Sequence, residues 1–366
     1  MQRQQQLTEW LHSQFPDEAF TLAPASVDAS FRRYFRATFQ NQGHGDARTS
    51  RSERKANTLI VMDAPPQHED CRPFLHIAKL FEDAGAHVPH VYAQDLQQGF
   101  LLLSDLGNTT YLQALDAGSA RELYGAATDS LIKIQLASRE NELPPYDEAL
   151  LLREMRLFPQ WYIAKHLNVT LTDKQHAKLE ETFKRISANN LAQPRVYVHR
   201  DYHSRNLMYI EPPHLNPLPP AGEEANEKGN LLTSPGILDF QDAVYGPITY
   251  DLASLFKDAY IRWEEAEIID WLIRYWEKAR KAGLPVHNDF SGFYRDYEWM
   301  GVQRHLKVLG IFARLYHRDG KDGYLKDLPL VMSYLRAACA RYIDLKPLLN
   351  LLDELEMHEQ KAGYTF

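Results

Sequence analysis

The sequence predicts an α+β protein with a smaller sheet lobe at 1–104 and a larger, mostly helical lobe at 105–366. Short apolar or alternating segments, which are typical of strands, dominate the first third of the chain. A periodicity of 3.6 residues dominates after Ser104. The length of 366 residues is enough for each lobe to bury its own core.

The N-terminal lobe is predicted to be a small antiparallel sheet that carries one helix. Strands are expected at 31–39, where aromatic and basic residues alternate, and at 58–62, 91–92 and 100–103. The helix is expected at 73–84, because four apolar residues recur there at helical spacing before a glycine.

The C-terminal lobe is predicted to be helical with an island of strands. Helical periodicity covers 119–137, 147–166, 172–190, 264–282, 289–315 and 327–345. The strand island comprises 196–198, 207–210 and 237–238. The strands on either side of the segment 199–206 are expected to form a hairpin-like loop. Two further segments, 41–57 and 211–235, are polar or rich in Pro and Gly and are predicted to be mobile surface loops.

Composition limits the classes of partner. Hydrophobic residues make up 44% of the chain and charged residues 25%, as in soluble globular proteins. The formal net charge of -8 gives no overall attraction for nucleic acid or anionic lipid. The two cysteines, Cys71 and Cys339, lack metal-site spacing and argue against a disulfide framework. With no signal-like or spanning apolar run, we expect a cytoplasmic monomer without membrane partners.

The segment Val196–Ile210 carries the most informative motif. His199-Arg-Asp201 is followed by Asn206 five residues after the aspartate, and apolar strands flank the segment. A later strand ends in Asp239, and a helix opens at Tyr250-Asp-Leu-Ala. Each part is common alone, but the conjunction is specific.

These residue types fit phosphoryl transfer, which depends on positioning and electrostatic stabilisation. Magnesium prefers hard oxygen ligands and keeps several waters, so one carboxylate and one amide suffice from the protein. Asp239 and Asn206 would supply these ligands. Asp201 would orient an acceptor hydroxyl and take its proton late.

The same stretches resemble a known family. HRDYHSRN and GILDFQDAVYGPITYDLASL are similar to the catalytic loop and metal segment of the aminoglycoside phosphotransferase-like kinases, which share the bilobal protein-kinase fold. Three softer motifs, ASFRRYFR at 29–36, TLIVMDAPP at 58–66 and QRHLKVLGIFARLYHRDGK at 303–321, resemble bacterial N-acetylmuramate/N-acetylglucosamine anomeric kinases. The resemblance implies ATP, Mg²⁺ and transfer to the anomeric hydroxyl of an amino sugar in cell-wall recycling.

The resemblance also implies roles for single residues. Asp201 carries the role of catalytic base, and Asn206 and Asp239 bind magnesium. Asp251 is expected to accept hydrogen bonds from the catalytic loop, and His199 is expected to be structural.

Nucleotide contacts are expected in two places. The hinge between the lobes is expected at Asp105 and Leu106, where backbone groups would meet the adenine edge. Ser30 and nearby backbone groups are expected to bind phosphate, with Arg33 or Arg36 adding charge.

The sequence departs from the family pattern at two places. The segment 28–34 lacks glycine, and Met62 stands where the family has a strand lysine or arginine. We therefore do not assign Glu69 as the acid of the usual lysine–glutamate pair. An arginine from 32–36 is the expected replacement, although a solvated strand face is an equal alternative.

The acceptor side is predicted from charge. Arg205 and His203 lie beside the catalytic aspartate, and Arg304 lies in a later helix. An anionic sugar such as N-acetylmuramate needs a cation, whereas a polycationic aminoglycoside needs an acidic cleft. A polar helix face at 303–307 is the structural alternative. The functional alternatives are a kinase for an aminoglycoside, choline or homoserine, and a nucleotide-binding pseudokinase.

Overall fold

The structure, a computed structural model, describes residues 2–26, 31–40, 57–211 and 234–363. It confirms the predicted bilobal α+β fold, with a sheet in the first third of the chain and helices in most of the remainder. Among the described residues, no helix combines the length and apolar character needed to span a membrane.

The smaller lobe is built on one antiparallel sheet with the strand order β1-β2-β3-β5-β4. Its strands are β1 (Phe20–Ser26), β2 (Arg33–Phe39), β3 (Thr58–Asp63), β4 (Val91–Asp95) and β5 (Phe100–Ser104). The last four were predicted. The edge strand β1 was not predicted. It contains Pro24, which a sheet tolerates at an edge or a bulge.

Alternate residues of this sheet face two different helices. Val61 and Leu102 pack in one core with α1 (Gln2–Gln14), a helix that the sequence did not predict. Met62 points to the opposite face and packs with the buried side of α2 (Arg72–Asp83), which was predicted. The period-2 alternation of a strand therefore connects the sheet to both helices.

Helices form most of the larger lobe. They are α3 (Tyr111–Ala114), α4 (Ala120–Leu136), α5 (Glu148–Met155), α6 (Asp173–Leu191), α7 (Tyr250–Phe256), α8 (Glu265–Lys281), α9 (Phe290–Asp319), α10 (Leu328–Arg341) and α11 (Lys346–Gly363). Most were predicted, whereas α3 and α11 were not. Helix α9 is buried on all sides over 297–310, so the alternative of a solvated polar face at 303–307 is wrong.

The helix predicted at 147–166 is interrupted. After α5 the chain forms a π-helix, Phe158–His166, near Pro159, which lacks an N–H and cannot continue an α-helical ladder. Helix α9 packs closely against this segment. A Cβ at Gly310 would lie 2.4–2.6 Å from atoms of Leu157, so only glycine permits the contact.

Two short ladders hold the segment that carries the motif. They pair β6 (Arg195–Val198) with β9 (Val244–Pro247), and β7 (Leu207–Met208) with β8 (Gly236–Ile237). The expected hairpin between β6 and β7 is therefore wrong. Each strand beside the loop 199–206 pairs instead with a strand near Asp239, which brings the two loops together.

Two expectations stay untested. The predicted loops at 41–57 and 211–235 lie, apart from their end residues, outside the described residues. The boundary between 104 and 105 stays a prediction.

Candidate active site

Asp251 holds the start of the loop that follows β6. Its carboxylate accepts hydrogen bonds from the backbone N–H groups of His199 at 2.7 Å and Arg200 at 3.0 Å. Arg200 has a φ of 78°, a left-handed conformation that costs energy in a residue with a side chain. The two hydrogen bonds stabilise this turn and fix where the next residue, Asp201, points.

His199 connects this loop to the strand before Asp239. Its ring is fully buried, and burial lowers its pKa to about 4, so the ring is neutral. The backbone N–H of Asp201 donates to Nδ1 at 3.2 Å, which leaves the proton on Nε2 to donate to the carbonyl of Leu238 at 2.9 Å. The histidine thus acts as a fixed bridge between the two loops.

Asp201 presents an ionised carboxylate. Burial would raise its pKa, but the charges of Lys307, His203 and Arg304 outweigh burial and lower it to about 2. In the described part of the chain, its hydrogen bonds involve backbone atoms, which leaves the carboxylate open to a ligand. An ionised carboxylate in this position can accept a hydrogen bond from a hydroxyl group.

Asn206 and Asp239 meet across the two loops. The amide nitrogen of Asn206 donates to the carbonyl of Asp201 at 3.0 Å and lies 3.3 Å from Oδ2 of Asp239. Among the described residues, Oδ1 of Asn206 has no hydrogen-bond partner and can accept another ligand. Asp239 has a φ of 63°, and Gln241 donates to its Oδ1 at 2.9 Å.

The donor set of this pair fits a hard divalent cation. One carboxylate and one amide oxygen are the ligands that Mg²⁺ takes when it keeps several waters. The described residues contain no cluster of three or more His, Cys, Asp or Glu side chains that could form a denser metal site. An oxygen-only pair of this kind suits magnesium better than zinc, which takes nitrogen and sulfur ligands more readily.

A cavity of about 400 Å³ lies between the lobes, beside Asn206 and Asp239. Its walls are mostly apolar, as suits an aromatic base. The apolar lining residues include Ile60, Phe74, Leu103, Leu106, Met208 and Leu238, and the polar ones include Arg36, Asp105 and Arg205. Both predicted hinge residues thus border the cavity.

The carboxylate of Asp105 is occupied within the protein. Arg36 donates to it through Nε at 2.6 Å and Nη2 at 3.0 Å, and the N–H of Gly107 donates at 3.0 Å. Nη2 of Arg36 also reaches the carbonyl of Gly107 at 3.1 Å. This ion pair connects the sheet above the cavity to the hinge beside it.

The other residues considered for phosphate binding are not seen to line the cavity in the described part of the chain. Arg33 is half exposed, pairs with the buried carboxylate of Asp63 and is not among the described residues that line the cavity. Ser30 lies outside the described residues. Met62 is fully buried in the core, and Glu69 lies 3.8 Å from Arg32.

Two of the predicted acceptor residues lie in the loop 199–206, and the third lies in α9. The guanidinium of Arg205 lies 3.5 Å from the ring centre of Tyr260, and the ring of His203 lies 5.5 Å from the same ring. His203 is buried enough for its pKa to be lowered. Arg304 is 3% exposed and acts electrostatically on Asp201.

Sequence reasoning missed Glu154, the centre of a buried network behind Asp201. Its carboxylate lies 2.5 Å from Nη2 of Arg200 and 3.4 Å from Nζ of Lys307, and it also accepts from Tyr146. Lys307 donates to the hydroxyl of Tyr250 at 3.0 Å. One sequence feature could have indicated its burial, namely that Glu154 follows the leucine run of α5 within one helical turn.

The fold and this site define a phosphotransferase of the kinase type. The model of the phosphotransferase enzyme family matches residues 21–215 and 228–290, and the chain belongs to this family.

Similar proteins align with this chain over nearly its whole length. The chain is 46% identical to the N-acetylmuramate/N-acetylglucosamine kinase of Neisseria meningitidis serogroup B, with 100% of both chains covered. It is 48% identical to the kinase of the same name from Pseudomonas aeruginosa, over 96% of this chain and 97% of the relative. An ADP-bound aminoglycoside phosphotransferase shares the fold, with a TM-score of 0.54, 14% identity and coverage of 90% of this chain and 97% of that chain.

Proposed function

We propose that this protein is an ATP-dependent kinase that transfers the γ-phosphoryl group to the anomeric hydroxyl of N-acetylmuramate or N-acetylglucosamine. Identity of 46% over the full length with a kinase that bears both sugar names is the observation that carries the proposal. The product would be a sugar 1-phosphate, which fits a role in the recycling of bacterial cell-wall sugars.

Asp201 is proposed to bind the acceptor hydroxyl. Because its carboxylate is ionised and has no side-chain partner among the described residues, it can orient the hydroxyl toward the phosphoryl group. A pKa of about 2 makes it a weak base in the ground state. Proton transfer to it is therefore expected late, when the bond to phosphorus has largely formed.

Asn206 and Asp239 are proposed to hold Mg²⁺ through Oδ1 of the amide and the carboxylate. The two hydrogen bonds of the amide nitrogen, to the carbonyl of Asp201 and to Oδ2 of Asp239, fix the orientation of the amide and support this role. When bound there, the ion supplies positive charge that neutralises phosphate oxygens of the nucleotide. The bridge from His199 to Leu238 keeps the two ligands in register.

The adenine is proposed to lie in the cavity between the lobes, against Leu106 and the apolar wall. Phosphate contacts by Ser30 and Arg33, the location in the cytoplasm and the monomeric state all stay predictions.

Phosphorus NMR of the products from an acceptor panel tests the function. N-acetylglucosamine and N-acetylmuramate should each give a 1-phosphate, and 1-deoxy-N-acetylglucosamine should give no product. Rapid phosphorylation of choline or an aminoglycoside, with no reaction of either sugar, would favour the alternative acceptors. Absence of acceptor-dependent ADP release with every compound would indicate a pseudokinase.

A further inference from the structure

Arg304 is a buried cation with two guanidinium nitrogens that have no hydrogen-bond partner among the described residues. It lies in α9 with only 3% of its surface exposed. Its Nε and Nη1 atoms are buried and make no hydrogen bond in the part of the chain that the structure describes. Leaving a charged donor unpaired in the interior is costly, so such a group in a folded protein needs a ligand or water as its partner.

Arg304 lies close to the loop 199–206. Its charge acts on the carboxylate of Asp201 and on His203, so it lies within electrostatic reach of the reacting hydroxyl. It is not among the described residues that line the nucleotide cavity. A partner for this guanidinium is therefore expected from the acceptor rather than from the nucleotide.

The other cations around Asp201 already have partners. Lys307 is one helical turn from Arg304 on α9, and its ammonium contacts Glu154 and Tyr250. Arg200 also pairs with Glu154. Arg205 stacks on a tyrosine ring and borders the nucleotide cavity. Among these described cations, Arg304 is the one that combines near-complete burial with unpaired guanidinium nitrogens and does not border the nucleotide cavity.

The two sugars of the proposed function differ in one charged group. N-acetylmuramate is N-acetylglucosamine with a lactyl ether, which adds a single carboxylate. A guanidinium binds a carboxylate through two parallel N–H···O hydrogen bonds, and such charge-assisted pairs are strong when shielded from water.

We propose that Arg304 binds the lactyl carboxylate of N-acetylmuramate and sets the preference for this sugar over N-acetylglucosamine. The proposal rests on the proposed function. It makes Arg304 a specificity-determining residue, since the second sugar lacks the group that it binds.

The test compares kcat/KM for both sugars in Arg304→Met, Arg304→Lys and the wild type. Arg304→Met should lose about 10- to 100-fold on N-acetylmuramate, as expected for hydrogen bonds to a charged group, and less than about 3-fold on N-acetylglucosamine. Arg304→Lys should fall between, because lysine keeps the charge without the planar fork. Arg318→Met, an exposed arginine of the same helix, is the matched control and should change neither value.

A second comparison changes the ligand instead of the protein. The wild type should discriminate about 10-fold or more between N-acetylmuramate and its uncharged primary amide. In Arg304→Met this discrimination should disappear. If Arg304→Met does not fold, the question is decided by the wild-type ratio of kcat/KM for the acid and the amide, together with the kinetics of Arg304→Lys.

Equal losses on both sugars would overturn the proposal, since they would mean that Arg304 acts through Asp201 or the loop. Unchanged kinetics with both sugars, or no discrimination between acid and amide by the wild type, would also overturn it. If the wild type phosphorylates neither sugar, the proposed function fails and takes this inference with it. If the wild type phosphorylates both sugars normally and the Arg304 variants lose equally on both, only the role of Arg304 is refuted and the proposed function stands.

Discussion

The amide nitrogen of Asn206 lies 3.3 Å from Oδ2 of Asp239, although 33 positions separate the two residues in the chain. The two ladders that flank these residues bring them together, and the backbone N–H of Leu238 donates to the carbonyl of Asn206 at 2.9 Å. A strand on each side therefore fixes the distance between the amide and the carboxylate.

The carboxylate of Asp239 should be required for magnesium-dependent turnover. Asp239→Asn should lower kcat/KM by at least about 100-fold and raise the Mg²⁺ concentration needed for half-maximal ADP release, because the proposed ligand pair loses its negative charge. Asp242→Asn, which removes a carboxylate three residues away, is the control and should behave as wild type. An unchanged Mg²⁺ requirement in Asp239→Asn would remove this residue from the metal site.

Asp201 should be required for transfer but not for nucleotide binding. Asp201→Asn should reduce kcat by about 10²- to 10⁴-fold, since the amide cannot accept the proton of the acceptor hydroxyl. Calorimetric titration should give an ATP affinity within about 3-fold of wild type. A variant with normal turnover would show that another group takes the proton.

The ion pair between Arg36 and Asp105 should position the nucleotide. Arg36→Met should raise KM for ATP by about 10-fold with little change in kcat, because the hydrogen bonds that join the sheet to the hinge are lost. The matched control is Arg72→Met, which breaks an ion pair with Asp70 in which both side chains are exposed. A fall in kcat at constant KM would instead connect Arg36 to the chemical step.

Glu154 should make stability depend on pH. Burial alone would raise its pKa, but the charges of Lys307 and Arg200 lower it below the ordinary value of 4.5. A lowered folded-state pKa means that the stabilising contribution is present above about pH 4.5 and is lost as the pH falls through the folded-state value.

Glu154→Gln should therefore lower the denaturation midpoint strongly at pH 7 and much less at pH 3. At neutral pH the loss of one partner in a buried charge network costs about 3–5 kcal/mol. The exposed acid Glu148 lies in the same helix, and Glu148→Gln is the control. The same difference between wild type and Glu154→Gln at both pH values would contradict the assigned cause.

Close packing at Gly310 should make this position intolerant of a methyl group. Gly310→Ala should destabilise the protein by about 1–3 kcal/mol, because the added Cβ would overlap backbone atoms of Leu157. Gly323→Ala adds the same group where no atom lies within 4 Å and should leave the midpoint nearly unchanged. Equal midpoints for the two variants in thermal denaturation would show that the helix packing relaxes freely.

The sequence by itself determined the local features of this protein. Alternation and apolar runs predicted β2, β3 and β5, and 3.6-residue periodicity predicted most helices of the larger lobe, since each pattern depends on neighbours within a few positions. The spacing of Asp201 and Asn206 in one loop was likewise visible, because it is a property of consecutive residues.

Only the tertiary structure decided which distant segments meet. Strand β6 pairs with β9 rather than with β7, and Glu154 contacts Lys307 across 153 positions. Helix α9 carries charged residues, which composition alone would place in solvent, yet its segment 297–310 is buried on all sides. Periodicity along a chain reports one face of one element, whereas burial and charge pairing depend on the free energy of packing elements against each other.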